Sequence, residues 1–327
     1  MNKIKVAVAL TERKEDFETF SREVYSSKRL REKVDLTPSL NKEYLKKIIP
    51  DAEILVCFSI GKGTFLSAKK LKWIHAACAG IDKFLFPGIL KSGVLLTSSK
   101  GIHGDTVSDH AMAMILAFAK GLVPSWTCKK QKRWCPVEVM KQRFEPQKKL
   151  LGIVGFGTIG QVLARKAKAF GMKVMATKNT VKKGERIKYV DRLLSKDKFH
   201  KFLCSSDVVV LTAPLTKATY HMIGAKELDC MKDTAILINV ARGGVVDQEA
   251  LVDALIGNKI AGAGLDVFEE EPLSPDSKLW DLENVIITPH VSGISIPEEI
   301  SEEFVRNYGR WVKGVPLVAL VNREKGY

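Results

Sequence analysis

The chain has 327 residues, 46% hydrophobic and 27% charged, with a formal net charge of +15. That length predicts two domains of roughly 100–200 residues each, and no apolar run reaches the length of a membrane span. The positive excess attracts anions in general. The lysines are nevertheless spread along the whole chain without a basic stripe or an interleaved aromatic pattern, so the expected partners are anionic small molecules and not nucleic acid.

Residues 4–10 (IKVAVAL) read as a first strand. The opening residues alternate charge with short aliphatics and lack the apolar core of a secretory signal, so a cytoplasmic protein is expected. A polar helical stretch follows to about residue 30, then strands at 53–59 (EILVCFS), 71–77 and 94–98 with helical segments between them. This alternation implies a parallel sheet covered by helices, a small open α/β domain. After the third strand comes ACAGID, 77–82. Ala79 and Gly80 would present backbone N–H groups at a strand's carboxyl end, where open α/β sheets bind ligands. A simple β-to-α turn accounts for the same residues.

Residues 101–122 predict a loop and a long helix whose apolar residues exceed one stripe. Such a helix is buried, either inside a domain or in a subunit interface. Residues 123–149 hold Pro124, Pro136 and Pro146, and an extended, irregular connection is expected there. Trp126 and Trp134, set among basic residues, would suit a partner surface.

The organising stretch is LLGIVGFGTIG, 150–160. An apolar run (150–154) reads as a buried strand. Gly155, Gly157 and Gly160 follow at G-x-G-x-x-G spacing, and Ile159, Val162, Leu163, Ala167 and Phe170 recur at helical period up to Gly171. Strand, glycine turn and helix N-terminus make a dinucleotide pyrophosphate site. Gly155 permits the turn, Gly157 admits the phosphate, and Gly160 lets the helix pack on the strand. The next strand, 172–177, ends at Lys178, where an acid meets the adenosine ribose of NAD. A lysine there, with Asn179, Thr180, Lys182 and Lys183 nearby, suits a 2′-phosphate instead. NADP(H) is therefore expected ahead of NAD(H).

A polar region, 178–192, is followed by a helix near 195–203, a strand at 207–213, a loop with Pro214, and a helix near 224–231. Then come a strand at 235–240, a helix at 247–257, and strands at 262–268 and 285–288. A final helix, 297–312, starts with proline and acids, as helix N-termini favour. Loops at the carboxyl ends of these strands carry Arg242, Asp266, Glu271 and His290. Arg242 suits a two-pronged bond to a carboxylate. Glu271 bonded to His290 would hold its tautomer and favour the imidazolium. Singly, each has a structural explanation; together, on strand ends of one dinucleotide domain, they point to catalysis.

The six cysteines contain no C-x-x-C pair. Reduced, buried thiols are expected, with a Cys128–Cys135 disulfide the less favoured alternative. The histidines are dispersed and none forms H-E-x-x-H, so no metal site is expected.

These motifs taken together resemble the D-isomer-specific 2-hydroxyacid dehydrogenases. The resemblance rests on ACAGID (77–82), KGIHGDTVSDHAMAMIL (100–116), GIVGFGTIG (152–160), LTAPLTKAT (211–219), INVARGGVVDQEAL (238–251), GLDVFEEEPL (264–273) and TPH (288–290). It implies a doubly wound Rossmann domain, 102–290, inserted into a smaller flavodoxin-like α/β substrate domain, 1–101 and 291–327. Arg242, Glu271 and His290 are implied as catalytic, and Ala79, Gly80, Arg242 and His290 as substrate-binding. The implied cofactor residues are Gly155, Gly157, Thr158, Ile159, Gly160, Lys178, Asn179, Ala213, Pro214, Thr219, Val240, Ala241, Asp266 and Gly293. A homodimer through the helix after Asp105 is implied, which would explain that helix's apolar faces. Lys178, in place of an acid, and Asp109, where glutamate is usual, depart from the pattern.

The expected reaction is reduction of a small 2-oxo acid such as glyoxylate or hydroxypyruvate. A branched or aromatic 2-oxo acid stands second, and a nucleotide-sensing, corepressor-like binding protein is the rival from another class. Glu271 argues against formate oxidation, where the family carries glutamine. The lack of an appended regulatory domain argues against phosphoglycerate oxidation.

Overall fold

The computed structural model describes residues 3–178, 181, 185–324 and 326. It divides into two compact units, Met1–His103 with Ser295–Tyr327, and Gly104–Ile294. The expected second boundary, after 290, lies four residues earlier than the observed one. The reason is chemical: the amides of Val291 and Ser292 donate to the Asp266 carboxylate and tie those residues to the second unit.

The first unit is a five-stranded parallel sheet of β1 (Ile4–Ala9), β2 (Val34–Pro38), β3 (Ile54–Cys57), β4 (Trp73–Ala76) and β5 (Leu95–Ser98), in the order β2-β1-β3-β4-β5. This is the flavodoxin-like order. Strand β2 is absent from the sequence expectation. It is short, its only inward apolar residues are Val34 and Leu36, and it ends in a proline, which is tolerated on an edge strand. The last helix, Pro297–Val312, packs on this unit. Phe304 stacks on Trp73 at 5.4 Å between ring centroids and lies 5.6 Å from Phe20.

The second unit is a seven-stranded parallel sheet of β6 (Leu150–Val154), β7 (Lys173–Lys178), β8 (Arg192–Ser195), β9 (Val208–Leu211), β10 (Ile236–Asn239), β11 (Gly262–Leu265) and β12 (Val285–Ile287). Their order is β12-β11-β10-β9-β6-β7-β8. The order in which successive strands are laid down reverses between β6 and β9, and the carboxyl ends flanking that switch point form the crevice where such sheets take ligands. Strand β8 is absent from the sequence expectation: it lies where the polar region, 178–192, meets the helix expected near 195–203, and that helix begins later, at Phe199–Ser205.

The long helix Gly104–Ala119 buries Val107, Ala111, Met112, Met114, Ile115 and Phe118 within this unit. Strand β11 makes room for it: a Cβ on Gly264 would lie 2.8 Å from Met114 Sδ, and one on Gly262 2.9 Å from Phe118 Cε1. The helix's apolar faces are thus explained inside the chain, and a dimer is not needed to account for them.

Residues 123–149 are a further correction. They form the helices Leu122–Lys130 and Pro136–Gln142 and a 3₁₀ turn at Pro146–Lys148. Each proline sits in a first turn, where its missing N–H is no loss, so it opens a helix instead of breaking one. Cys128 and Cys135 are paired as a disulfide with Cα atoms 6.3 Å apart, contrary to the expectation of reduced thiols. Trp126 and Trp134 are exposed, Trp134 by 95%. Among the described residues no single helix is long and apolar enough to cross a membrane.

Asp207, just before β9, ties two strands together at the amino-terminal edge of this sheet. Its carboxylate accepts the Leu150 amide of β6 at 2.8 Å and pairs with Lys232 at 2.9 Å. Burial pushes its pKa up, but the bonds from Lys232 and the Leu150 amide, with the charges of Lys232 and Lys149, prevail and hold it below the ordinary value of 3.8. A carboxylate with a depressed folded pKa stabilises the fold above its unfolded pKa and loses that contribution as pH falls through the folded one. Asp207→Asn is therefore expected to cost about 1 kcal/mol at pH 7, with the difference from wild type shrinking in urea unfolding below pH 4. A deficit that stays constant down to pH 2 would contradict this.

Candidate active site

The glycine turn lies at the switch point. Gly155 has φ +87°, and a Cβ there would stand 2.7 Å from the backbone of Ala213 at the end of β9, so glycine is required twice over. A Cβ on Gly160 would lie 2.7 Å from the Gly155 carbonyl oxygen, which accounts for the close seat of the helix Thr158–Ala169 on β6. Around Gly157, by contrast, a Cβ would meet nothing within 4 Å. The backbone therefore stays open at the helix N-terminus, where free N–H groups and the helix dipole favour an anion. Gly157 and Thr158 are exposed and Ile159 is half-buried, as a phosphate-facing turn requires. Thr212 closes the turn from β9 by donating its hydroxyl to the Gly155 carbonyl at 2.5 Å.

Lys178 ends β7 and forms an ion pair with Glu185. It is therefore not a bare cation: any anion recruited by its ammonium competes with that carboxylate. Asn179, Thr180, Lys182 and Lys183, expected beside it, lie outside the described residues.

At the other side of the sheet, fully buried Asp266 follows β11. Its Oδ1 accepts the Thr288 hydroxyl at 2.6 Å and the Val291 amide at 2.9 Å, and its Oδ2 accepts the Ser292 amide at 3.0 Å. The Asp266 carbonyl also accepts the His290 amide at 2.8 Å. Because the Thr288 hydroxyl donates to Asp266, it must accept from His110, whose Nε2 lies 3.0 Å away and so carries the proton. Asp266, expected among the cofactor residues, is thus placed as the clamp of the loop that carries His290.

That clamp holds His290 at φ +55°, a region non-glycine residues rarely occupy. Its Nδ1 lies 2.8 Å from Glu271 Oε2, while Glu271 Oε1 accepts the Phe268 amide at 3.2 Å. Glu271 is therefore anchored at one oxygen and binds the imidazole with the other. A carboxylate on Nδ1 fixes the proton there and leaves Nε2 as the ring nitrogen for chemistry.

Arg242 stands on the loop after β10. Asn239, 1% exposed, donates through Nδ2 to the Arg242 carbonyl at 2.9 Å and accepts the Ala241 amide at 3.1 Å. The Arg242 guanidinium donates to the Ala241 carbonyl at 2.7 Å. The next residue, Gly243, packs backbone on backbone: a Cβ there would lie 1.8 Å from the Phe268 carbonyl carbon and 2.3 Å from the Glu269 nitrogen. Since Phe268 also anchors Glu271, the arginine loop and the His–Glu loop are locked to one another within this unit.

The remaining expected cofactor residues have mixed settings. Ala213, Val240 and Ala241 are buried, Pro214 and Gly293 are exposed, and the Thr219 hydroxyl is spent on the Pro214 carbonyl at 2.7 Å, closing its own loop. Ala79 and Gly80, in the first unit, follow β4 and are half-buried. Among the described residues neither of their amides donates a backbone hydrogen bond. Asn239, Gly243, Thr288, Ser292 and His110 were not singled out from sequence. Asn239, Gly243 and Thr288 stand in the quoted motifs that carry Arg242 and His290, and His110 stands in the motif at 100–116; Ser292 lies just beyond TPH and carries no such signal.

A glycine turn at the switch point of a parallel sheet, with polar loops converging from its neighbouring strand ends, defines a dinucleotide-binding α/β protein. The family model for the D-isomer specific 2-hydroxyacid dehydrogenase NAD binding domain matches residues 112–292. A glyoxylate reductase of Thermococcus litoralis is 40% identical over 83% of this chain and 82% of its own length. A hydroxypyruvate reductase of Thermotoga maritima is 34% identical over 84% of this chain and 92% of its own. Among solved structures, the NADPH-dependent glyoxylate/hydroxypyruvate reductase of Sinorhizobium meliloti, in complex with NADP and sulfate, superposes with a TM-score of 0.87 at 25% identity, covering 99% of this chain and 100% of that one. The chain belongs to the D-isomer-specific 2-hydroxyacid dehydrogenase family.

Asp266→Asn replaces one acceptor oxygen with an NH₂ facing a donor. It is expected to lower stability by about 1–3 kcal/mol and to depress turnover by displacing His290. Denaturant unfolding checks the first effect and steady-state kinetics the second; a stability change under about 0.5 kcal/mol, the range of an ordinary surface substitution, would contradict the clamp.

Proposed function

We propose that this protein is an NADPH-dependent reductase of small 2-oxo acids, glyoxylate and hydroxypyruvate foremost, yielding the D-2-hydroxy acid in the cytoplasm. The observation that carries the proposal is the His290–Glu271 pair at 2.8 Å, locked through Phe268 to the Arg242 loop on the same sheet as the glycine turn.

The open backbone at Gly157 and the obligatory glycines around it fit a dinucleotide pyrophosphate. When bound, the nicotinamide supplies the hydride that reduces the substrate carbonyl. Arg242 is assigned the substrate carboxylate, which its fork of donors fits in a two-pronged bond. The backbone amides of Ala79 and Gly80 are assigned as further carboxylate donors. His290 gives a proton from Nε2 to the carbonyl oxygen as negative charge develops on it, and Glu271 at Nδ1 holds the ring in position.

Support for NADP(H) over NAD(H) is the lysine at the end of β7, where an acid would repel a 2′-phosphate, together with the NADP complex of the similar reductase. Support for a homodimer is the exposed apolar group of Trp126, Trp134, Val137 and Met140.

His290→Ala is expected to lose most turnover, on the order of 100-fold or more, while NADPH still binds by fluorescence titration. Turnover near that of wild type would sink the assignment. Lys178→Asp should weaken NADPH about 10- to 100-fold, the worth of one charge-assisted bond, and leave NADH within about threefold. Equal effects on both cofactors would remove Lys178 as the selector.

A further inference from the structure

Away from the glycine turn, at the amino-terminal edge of the second sheet, folding assembles a set of soft ligands that serves no part of the reduction. His200 and Cys204 lie one turn apart on the helix Phe199–Ser205, so they share a face. Cys230 caps the neighbouring helix, Ala225–Asp229. Those helices lead into β9 and β10 respectively, so all three residues sit before the strands begin, opposite the carboxyl ends that bear the active site. The two sulfurs and a ring nitrogen of His200 lie within 4.8 Å of one another.

We propose that His200, Cys204 and Cys230 bind a zinc ion that clamps these two helices together. The Cys204 Sγ to His200 Nδ1 distance is 3.5 Å. Two ligands of a tetrahedral zinc, with Zn–S near 2.3 Å and Zn–N near 2.0–2.1 Å, stand about 3.5 Å apart, so these atoms already hold a coordination spacing. Thiolate and imidazole together select zinc over magnesium or calcium. Three protein ligands leave a fourth position, which the exposure of His200 opens to water. The carboxylates of Glu227 and Asp229 add negative charge nearby, which favours a cation. On binding, each thiol gives its proton to solvent, so Zn²⁺ with two thiolates and a neutral imidazole carries no net charge.

Cys230 Sγ also contacts the His200 carbonyl at 3.9 Å and the Glu227 carbonyl at 3.2 Å, which already seats it between the helices. Sequence spacing hides the set because 25 residues lie between Cys204 and Cys230 and only the packing of two helices joins them.

The test is equilibrium dialysis of the reduced full-length protein against Zn²⁺ with metal quantitation, alongside Co²⁺ substitution and thermal unfolding. Wild type should bind one ion per chain through this set, show thiolate-to-cobalt charge-transfer absorption, and gain melting temperature with Zn²⁺. Cys204→Ser and Cys230→Ser should each weaken binding about tenfold or more and abolish the thermal gain, and His200→Gln should weaken it likewise. The Cys128→Ser, Cys135→Ser double variant controls for the other cysteine pair and should keep both. Absence of stoichiometric binding by wild type would overturn the proposal. So would binding that survives Cys204→Ser and Cys230→Ser, or a reduced protein that binds no zinc and simply forms a Cys204–Cys230 disulfide on oxidation.

Discussion

The geometry of the second unit depends on one buried carboxylate. Asp266 sits at the end of β11 with no exposure and accepts from a hydroxyl and two backbone amides of the segment 288–292. An acid so buried is costly unless every oxygen is satisfied, and here the donors that satisfy it belong to the loop that carries His290. The same constraint ties Val291 and Ser292 to this unit and holds His290 in a left-handed backbone conformation. Through Thr288 it extends to His110 on the long helix, so the loop is braced from the sheet and from a helix at once. Backbone strain of this kind persists only where surrounding contacts overdetermine it.

Two glycines convert that braced loop into a site. Gly243 brings the Arg242 loop against Phe268, whose amide anchors Glu271. Gly155 brings the phosphate turn against Ala213 across the switch between β6 and β9. In both cases a single Cβ would meet backbone atoms that cannot move aside. A guanidinium and an imidazole are thereby held at the carboxyl ends of β10 and β12 on either side of β11, and preorganisation of the kind proposed for them is a main source of catalytic power.

Much of this was legible in the sequence. Six strands of the second sheet are apolar runs between turn signals, and the glycine turn declares its strand and helix by flanking pattern. The proposed trio of Arg242, Glu271 and His290 could be picked out because its members stand in loops after such strands. Edge strands β2 and β8 were not, since each offers too few inward apolar residues to show a period. The helices at 122–142 were obscured by prolines that open them. Asn239, Thr288 and His110 act through hydrogen bonds made only on folding, and the His200–Cys204–Cys230 set exists only once two helices pack. The burial of the helix Gly104–Ala119 was legible, but what covers it was not, because the space is made by glycines in β11, 140 residues or more away.

The most direct measurement is the chirality and rate of hydroxypyruvate reduction by the purified protein with NADPH. The account predicts cofactor oxidation matched one for one by D-glycerate, with glyoxylate also reduced and no L product. Formation of the L isomer, or no turnover of either acid with NADPH or NADH, would contradict it.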